Sequence, residues 1–428
     1  MPEKEQLVKV IDFWKATVTR ERLFERELAS GLDAATKEVV DLVGVRRCGK
    51  SSIFKLLIRR LGLEDKALFV NFEDPYFIVH NSPAVIEELI ETYREYYYSG
   101  LEYLFFDEIQ AISGWEKAVR KLRDSGEYRI FVTGSSSKLL SGEFSTLLTG
   151  RHLSHAAFPL SFREFLAFKG VQATGKRDLA LKSTALLKAF SEYLENGGFP
   201  EVVVTGNKTL LQQYFKDIVY KDIAGRHEVR QTDVLEKLGV FLVTNSARTL
   251  SAGSVSKAFG ISHEFASLYL EYFKEAFLVF DLPQFSYSLK TQAKALKKYY
   301  SVDTGLANAV SFRFSEDKGR MLEQSVFLHL ARTGADAYYY KTRANQEIDF
   351  LVKTRQNHRQ LIQVSWSLQD TDTRKRELAA LFRAMDELRA KTALVLTYDE
   401  QETISQAGKT ITVAPAWKWM LETTTASP

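Results

Sequence analysis

Five short apolar runs mark the first part of the chain, at residues 39–43, 68–72, 103–106, 129–133 and 154–158, each bounded by polar or glycine-containing stretches. Their length and β-branched or aromatic content predict buried strands. Between them, residues 51–61, 84–98 and 115–123 carry apolar positions at helical spacing, so strand and helix alternate. Such alternation predicts a parallel sheet covered by helices. Upstream, residues 1–35 are charged and helix-favouring, with Ile11, Trp14, Val18 and Phe24 as apolar anchors, and read as an entry arm. Beyond residue 158 the periodicity is helical three times over, at 161–168, 180–196 and 210–224, with a break at Gly197, Gly198 and Pro200. Residues 226–290 hold compact helical runs ending in strand-like 277–282 and 284–288, a profile that suits a winged helix. From Lys297 the order becomes strand, helix, three strands, helix and strand to about residue 413, before a polar tail at 423–428.

Five segments follow: an N-terminal helical arm (1–35), an α/β domain (36–165), a helical lid or connector (166–225), a winged helix (226–290) and a second α/β domain with the tail (291–428). A length of 428 residues suits several cores, and 45% hydrophobic with 26% charged residues excludes a disordered chain. The net charge of +4 neither announces nor excludes nucleic acid, so local charge decides. The single cysteine, Cys48, excludes an intrachain disulfide, and no apolar run approaches the ~20 residues of a membrane span. Both point to the cytoplasm and to no membrane.

The sharpest chemistry lies between the first strand and first helix. Gly44, Val45, Arg46, Arg47, Cys48, Gly49, Lys50 and Ser51, with Ser52 following, match the P-loop pattern in the context that its mechanism needs. The glycines let backbone N–H groups turn towards phosphates at a helix N-terminus. Lys50 is expected to reach the β and γ phosphates of ATP, and Ser51 to ligate the Mg2+ that bridges them. Cys48 has two readings: a thiol activated by the helix N-terminus, or a small residue tolerated in a tight loop. The third strand ends in Asp107 and Glu108, at the edge where open α/β sheets bind ligands. Asp107 is expected to hold magnesium through water and Glu108 to deprotonate the attacking water. The fourth strand runs into Gly134, Ser135, Ser136 and Ser137, and Ser135 is the first choice for a γ-phosphate sensor, against an ordinary turn. Arg151, after Thr149 and Gly150, is a candidate arginine finger for its own or a neighbouring site, against a solvated surface arginine. A finger acting in trans would require a homo-oligomer.

With these residues in place, the chain resembles bacterial and archaeal AAA-type ATPases in which a P-loop domain precedes a winged helix and a restriction-endonuclease-like domain of uncertain function. The marks are residues 44–51, Phe106 to Gln110, Thr133 to Ser137, Pro159 to Phe165, Asn196 to Pro200, Tyr300 to Leu306 and Glu347 to Phe350. The resemblance spans nearly the whole chain. It implies a sheet of order 5-1-4-3-2, ATP hydrolysis with Mg2+, and no settled substrate.

Residues 252–259, then Ile261, Ser262 and His263, predict a helix, a tight turn and a second helix capped by Ser262. By family analogy that second helix enters a DNA groove. Its Glu264 and Glu271 make a poor surface for phosphates, whereas Lys290, Lys294, Lys297 and Lys298 form a run without an acid between Asp281 and Asp303. That run predicts either a contact to the DNA backbone or a solvated linker. The C-terminal segment, with Glu323 on a helix and then Asp349, Gln363 and Ser365 on strands, looks like a PD-(D/E)XK nuclease core. In that family a second acid belongs where Gln363 stands and a lysine where Ser365 stands, so the expectation is a degenerate site, with Lys341 as a relocated lysine. Three functions emerge: an ATP-hydrolysing switch or remodeller, an ATP-regulated DNA nuclease, and a nucleotide-gated module with little turnover and an unknown protein partner.

Overall fold

β-Branched and aromatic runs with no polar face can be buried only as interior strands. The run Val39–Gly44 forms β1, buried along its whole length, and lies in parallel register between Arg129–Gly134 (β4) and His152–Ala157 (β5). With Ala67–Asn71 (β2) and Tyr103–Asp107 (β3), the sheet has the parallel order β2-β3-β4-β1-β5, the 5-1-4-3-2 arrangement expected. This computed structural model describes residues 4–136, 150–173, 175–311, 317–353 and 359–423, in two compact units, Met1–Phe158 and Pro159–Pro428.

In the first unit an acid sits inside β1. Asp41 is fully buried, and the β5 side chains His152 and Ser154 place Nδ1 and Oγ 2.8 and 2.6 Å from its carboxylate. Burial pushes the Asp41 carboxyl above its usual range, and these partners offset only part of that rise. The helix Lys50–Leu61 rests Phe54 edge-on against Phe105 and Phe131, which stack at 4.6 Å. Its end is set by Gly62, at φ +62°, whose N–H returns to the Arg59 and Ile58 carbonyls. The helix Lys4–Arg20 buries Leu7, Val10, Ile11 and Val18 and packs on β2. The expected arm is therefore an integral layer of this unit, which closes at Phe158, before the expected boundary at 165.

The second unit holds two sheets. Arg248–Leu250 (β6), Val279–Leu282 (β7) and Lys297–Ser301 (β8) pair antiparallel in the order β6-β8-β7, beside the helices Ala252–Phe259 and His263–Glu275. Ser262 caps the latter, its Oγ accepting from Phe265 N at 3.1 Å. The expected strand at 284–288 does not form. Pro283 has no N–H to extend β7, Phe285 is buried in the C-terminal core instead, and β8 completes the small sheet. The larger sheet has Asp336–Lys341 (β9), Glu347–Lys353 (β10), Arg359–Val364 (β11), Thr392–Thr397 (β12), Glu402–Gln406 (β13) and Lys409–Pro415 (β14) in the order β13-β14-β12-β11-β10-β9. β11, β12 and β14 are mutually parallel. Helix Thr371–Leu388 buries Leu381, Ala384 and Met385 against Ile348, Leu361 and Val395 of this sheet.

Two sequence marks explain each other here. Asp303 accepts from Gly198 N at 2.7 Å and Leu306 N at 2.8 Å. A Cβ on Gly197 would lie 1.9 Å from the Asp303 carboxylate, and one on Gly305 2.0 Å from the Asn196 carbonyl oxygen. The glycine break at 197–198 and the segment 302–306 are thus the two halves of one close contact.

Candidate nucleotide site

The phosphate-loop sequence makes its turn with positive φ at Arg47 (+69°) and Gly49 (+98°). Gly44 faces the Ala157 carbonyl so closely that a Cβ would lie 2.1 Å from its oxygen, so only glycine passes there. Val45 and Cys48 are buried beneath the loop. Arg26 braces it from behind, donating to the Cys48 and Phe158 carbonyls at 2.8 Å each. The Cys48 thiol lies 3.4 Å from the Ala157 carbonyl, and burial pushes its pKa up, which corrects the activated-thiol reading.

Lys50 begins the following helix and folds back over the loop, donating to the Gly44 and Val45 carbonyls at 3.1 and 3.4 Å. Its Nζ stands 3.5 Å from a Glu108 carboxylate oxygen. Ser51 Oγ donates to Asp107 at 2.6 Å, so the two oxygens assigned to magnesium share one spot. A hydroxyl and a carboxylate are the hard donors that Mg2+ takes, and phosphates supply the rest, so these residues fit the ion. Arg46 reaches to Glu73 at 2.9 Å, while Ser52 follows one residue into the helix.

Two adjacent acids diverge in proton affinity. Burial and the charge of Glu108 raise the pKa of Asp107. Burial pushes Glu108 the same way, but Lys50, Gln110 and Arg46 outweigh it and hold that carboxyl below its usual value. Glu108 thus gives up its proton more readily than Asp107, and its backbone is set apart at φ +51°. Gln110 Nε2 donates to its carboxylate at 2.5 Å.

Thr133 is a hydroxyl that touches both acids. Its Oγ1 donates to Asp107 at 2.6 Å and accepts from Glu108 N at 2.8 Å. Asn71, ending β2, donates to Asp107 at 2.6 Å. Sequence reasoning passed over both, although a polar residue at a strand's carboxyl end was the signal used to find Asp107. Ser135 is fully buried just beyond β4, and Ser137 and Thr149 lie outside the described residues. Arg151 precedes β5, at the strand's amino end, paired with Asp124 at 3.2 Å. The phosphate loop follows the carboxyl end of parallel β1, so Arg151 does not reach its own site.

The basic run is also redistributed. Lys297 pairs with Asp281 at 2.6 Å, and Lys298 is only 3% exposed. Lys298 Nζ lies 2.6 Å from Glu323, 2.8 Å from Glu347 and 3.2 Å from Asp349. It is a buried counter-cation, which corrects its reading as a DNA contact, and of the run Lys290 and Lys294 are exposed. The lysine at the cluster of Glu323, Glu347 and Asp349 is thus Lys298 from β8. Gln363 Oε1 accepts from Asp349 N at 3.3 Å while its Nε2 donates to Glu377 at 2.8 Å, and Ser365 donates to the Ser367 carbonyl at 2.9 Å. On the helix His263–Glu275, Phe265 and Leu268 are 52% and 40% exposed beside Glu264 and Glu271.

A family profile described as an AAA domain matches residues 36–166, and two described as domains of unknown function, DUF8612 and DUF4143, match 187–317 and 318–419. The chain is 35% identical over 438 residues to the uncharacterized protein MJ1544 of Methanocaldococcus jannaschii, covering 94% of this chain and 96% of that protein. It is 32% identical over 353 residues to an uncharacterized protein of Haemophilus influenzae, covering 79% and 84% respectively. Among solved structures, the Aeropyrum pernix Orc1 protein in complex with DNA aligns at a TM-score of 0.28 and 12% identity, over 73% of this chain and 92% of that one. A likeness that distant carries no argument about function. Among the described residues no helix is long and apolar enough to cross a membrane.

Proposed function

Because the chain belongs to one family with MJ1544 of Methanocaldococcus jannaschii and carries an AAA domain at residues 36–166, we propose that it hydrolyses ATP and works as a nucleotide-driven switch or remodeller. The observation that carries this proposal is the continuous set of contacts from Lys50 through Glu108 and from Ser51 through Asp107 to Thr133. In it Lys50 leaves the loop carbonyls for the β and γ phosphates, and Ser51 with Asp107 hold Mg2+, which neutralises developing phosphate charge when bound. Glu108, ionised and positioned through Thr133 and Gln110, takes the proton of the attacking water. Replacing Glu108 by Gln is expected to lower phosphate release at least about a hundredfold while ATP binding persists. Equal phosphate release by both proteins would leave a nucleotide-gated module as the better reading.

The helix pair at 252–275 with its three-stranded antiparallel sheet supports a winged helix. DNA contact there would fall to Lys290 and Lys294, since Lys297 and Lys298 are engaged with acids. Stimulation of turnover by duplex DNA that fades with salt is the test. In the C-terminal domain, Gln363 sets a neutral amide, held between Asp349 N and Glu377, where a second carboxylate would stand, and Ser365 donates to the Ser367 carbonyl; this favours a nuclease-like fold without cleavage, and a metal-dependent plasmid-nicking assay decides it. Any finger role of Arg151 belongs to the site of a neighbouring copy.

A further inference from the structure

The short helix Glu27–Gly31 buries Ala29 and packs on the helix Lys50–Leu61. Its first turn starts from Arg26 in extended backbone, the Ala29 N–H donating to the Arg26 carbonyl at 3.1 Å. This anchoring delivers the Arg26 side chain to the back of the phosphate loop, where it is only 5% exposed. Two of its N–H groups donate to main-chain carbonyls far apart in the chain, Cys48 in the loop and Phe158 just beyond β5, each at 2.8 Å. Phe158 is a fixed point, because β5 runs in parallel register with β1 up to the pair of Gly44 and Ala157. The guanidinium fork therefore ties the loop to the sheet from which the loop springs.

What that tie does follows from the peptide unit. In a trans peptide the C=O and the next N–H point in opposite directions. Holding the Cys48 carbonyl from behind thus turns the Gly49 N–H to the open side of the loop, towards phosphates at the helix N-terminus. Gly49 sits at φ +98°, a conformation with little steric guidance for a glycine, so a hold on the adjoining carbonyl is what keeps that peptide from turning over. A hydrogen bond from a cation to the carbonyl also polarises the peptide and strengthens its N–H as a donor. The charge of Arg26 is felt in the loop: burial raises the Cys48 thiol, and Lys50 and Arg26 oppose that rise.

We propose that Arg26 is a positioning residue of the nucleotide site, holding the Cys48–Gly49 peptide so that the Gly49 N–H faces the β-phosphate. This rests on the reading of residues 44–51 as an ATP site and adds to it a residue that lies outside the phosphate-loop motif. The β-phosphate is common to ATP and ADP, so the contribution of Arg26 is to the binding of both nucleotides, while the proton transfer assigned to Glu108 depends on it far less. Lysine cannot take the part of Arg26, because a single ammonium is a point charge without the fork that spans two fixed carbonyls.

Steady-state phosphate release and ADP calorimetry on the full chain test this with Arg26→Lys, which keeps the charge, and Arg26→Gln, which keeps a neutral amide donor. Arg26→Lys is expected to raise KM for ATP and Kd for ADP by a common factor of about ten or more, with kcat falling far less, and Arg26→Gln to raise both further. A loss of folded protein lowers the apparent kcat and leaves KM and Kd where they were, so a partly folded preparation still reports the role. An ADP affinity in Arg26→Lys within about twofold of wild type overturns the proposal, as does a fall in kcat with KM unchanged. A wild type that binds ADP and releases no phosphate from ATP removes the hydrolysis reading alone, and the ADP arm then decides the part played by Arg26.

Discussion

At the scale of single residues, Thr133 separates the tasks of the two acids beside it. One hydroxyl donates to Asp107 and accepts from the backbone of Glu108, so it fixes the spacing of the proposed magnesium ligand and the proposed base. Thr133→Val keeps the shape and removes both hydrogen bonds. It is expected to lower turnover about tenfold to a hundredfold with a smaller effect on ATP affinity, as measured by steady-state kinetics beside calorimetry. Asp303 offers a test of another kind. Burial raises its carboxyl from 3.8 to about 6, against the N–H groups of Gly198 and Leu306 and the charge of Arg332. A raised folded-state pKa means that this contribution to stability is complete below the unfolded value and is lost as pH rises through about 6. Relative to Asp303→Asn, the wild type should lose about 2 kcal/mol of unfolding free energy between pH 4 and pH 7. A constant difference in urea midpoints across that range would contradict the assignment. The loop and the acid pair were legible because their chemistry is contiguous in the chain. Thr133 and Asn71 were harder, because their role comes from neighbouring strands that reach the same edge.

At the scale of elements, β8 belongs to two structures at once. Its backbone completes the small sheet, while Lys298 reaches Glu347 and Asp349 of the larger one and both Lys298 and Tyr300 reach Glu323 on the helix Lys318–Arg332, Tyr300 donating at 2.7 Å. Burial opposes the charge on Lys298, but the surrounding acids keep it ionised well above the usual lysine range. Lys298→Met should therefore cost about 3–5 kcal/mol, because it leaves three carboxylates without their shared cation. Adding Asp349→Asn should recover part of that loss in a thermal melt; no recovery would mean that packing, not charge, dominates. The same strand shows why the sequence misled. Lys297 and Lys298 look solvated when only their neighbours in the chain are counted, yet their acids come from residues 281, 323, 347 and 349. The helices at 252–259 and 263–275 were legible because their capping serine and turn are local. The small sheet's third strand was not, because its pairing was decided by Pro283 and by the burial of Phe285 elsewhere.

At the scale of the whole molecule, the two compact units separate the ATP site from the carboxylate cluster. Asp349→Ala is accordingly expected to leave ATP turnover within about twofold of wild type even if it lowers the melting temperature. A large fall in turnover with the first unit still folded would show that the cluster is coupled to hydrolysis. The division into domains was only partly legible. The alternation of strands and helices located the first unit, but the N-terminal helix gave no sign from its own charge pattern that it would pack on β2. The buried Asp41 has a consequence for how this molecule is born. Its partners, His152 and Ser154, lie 111 and 113 residues downstream, on the last strand to join the sheet. A nascent chain that has not yet released β5 from the ribosome holds a carboxylate in the middle of an interior strand of the finished sheet with neither partner present. The sheet therefore has reason to stay open during synthesis, and to close only when its final strand arrives.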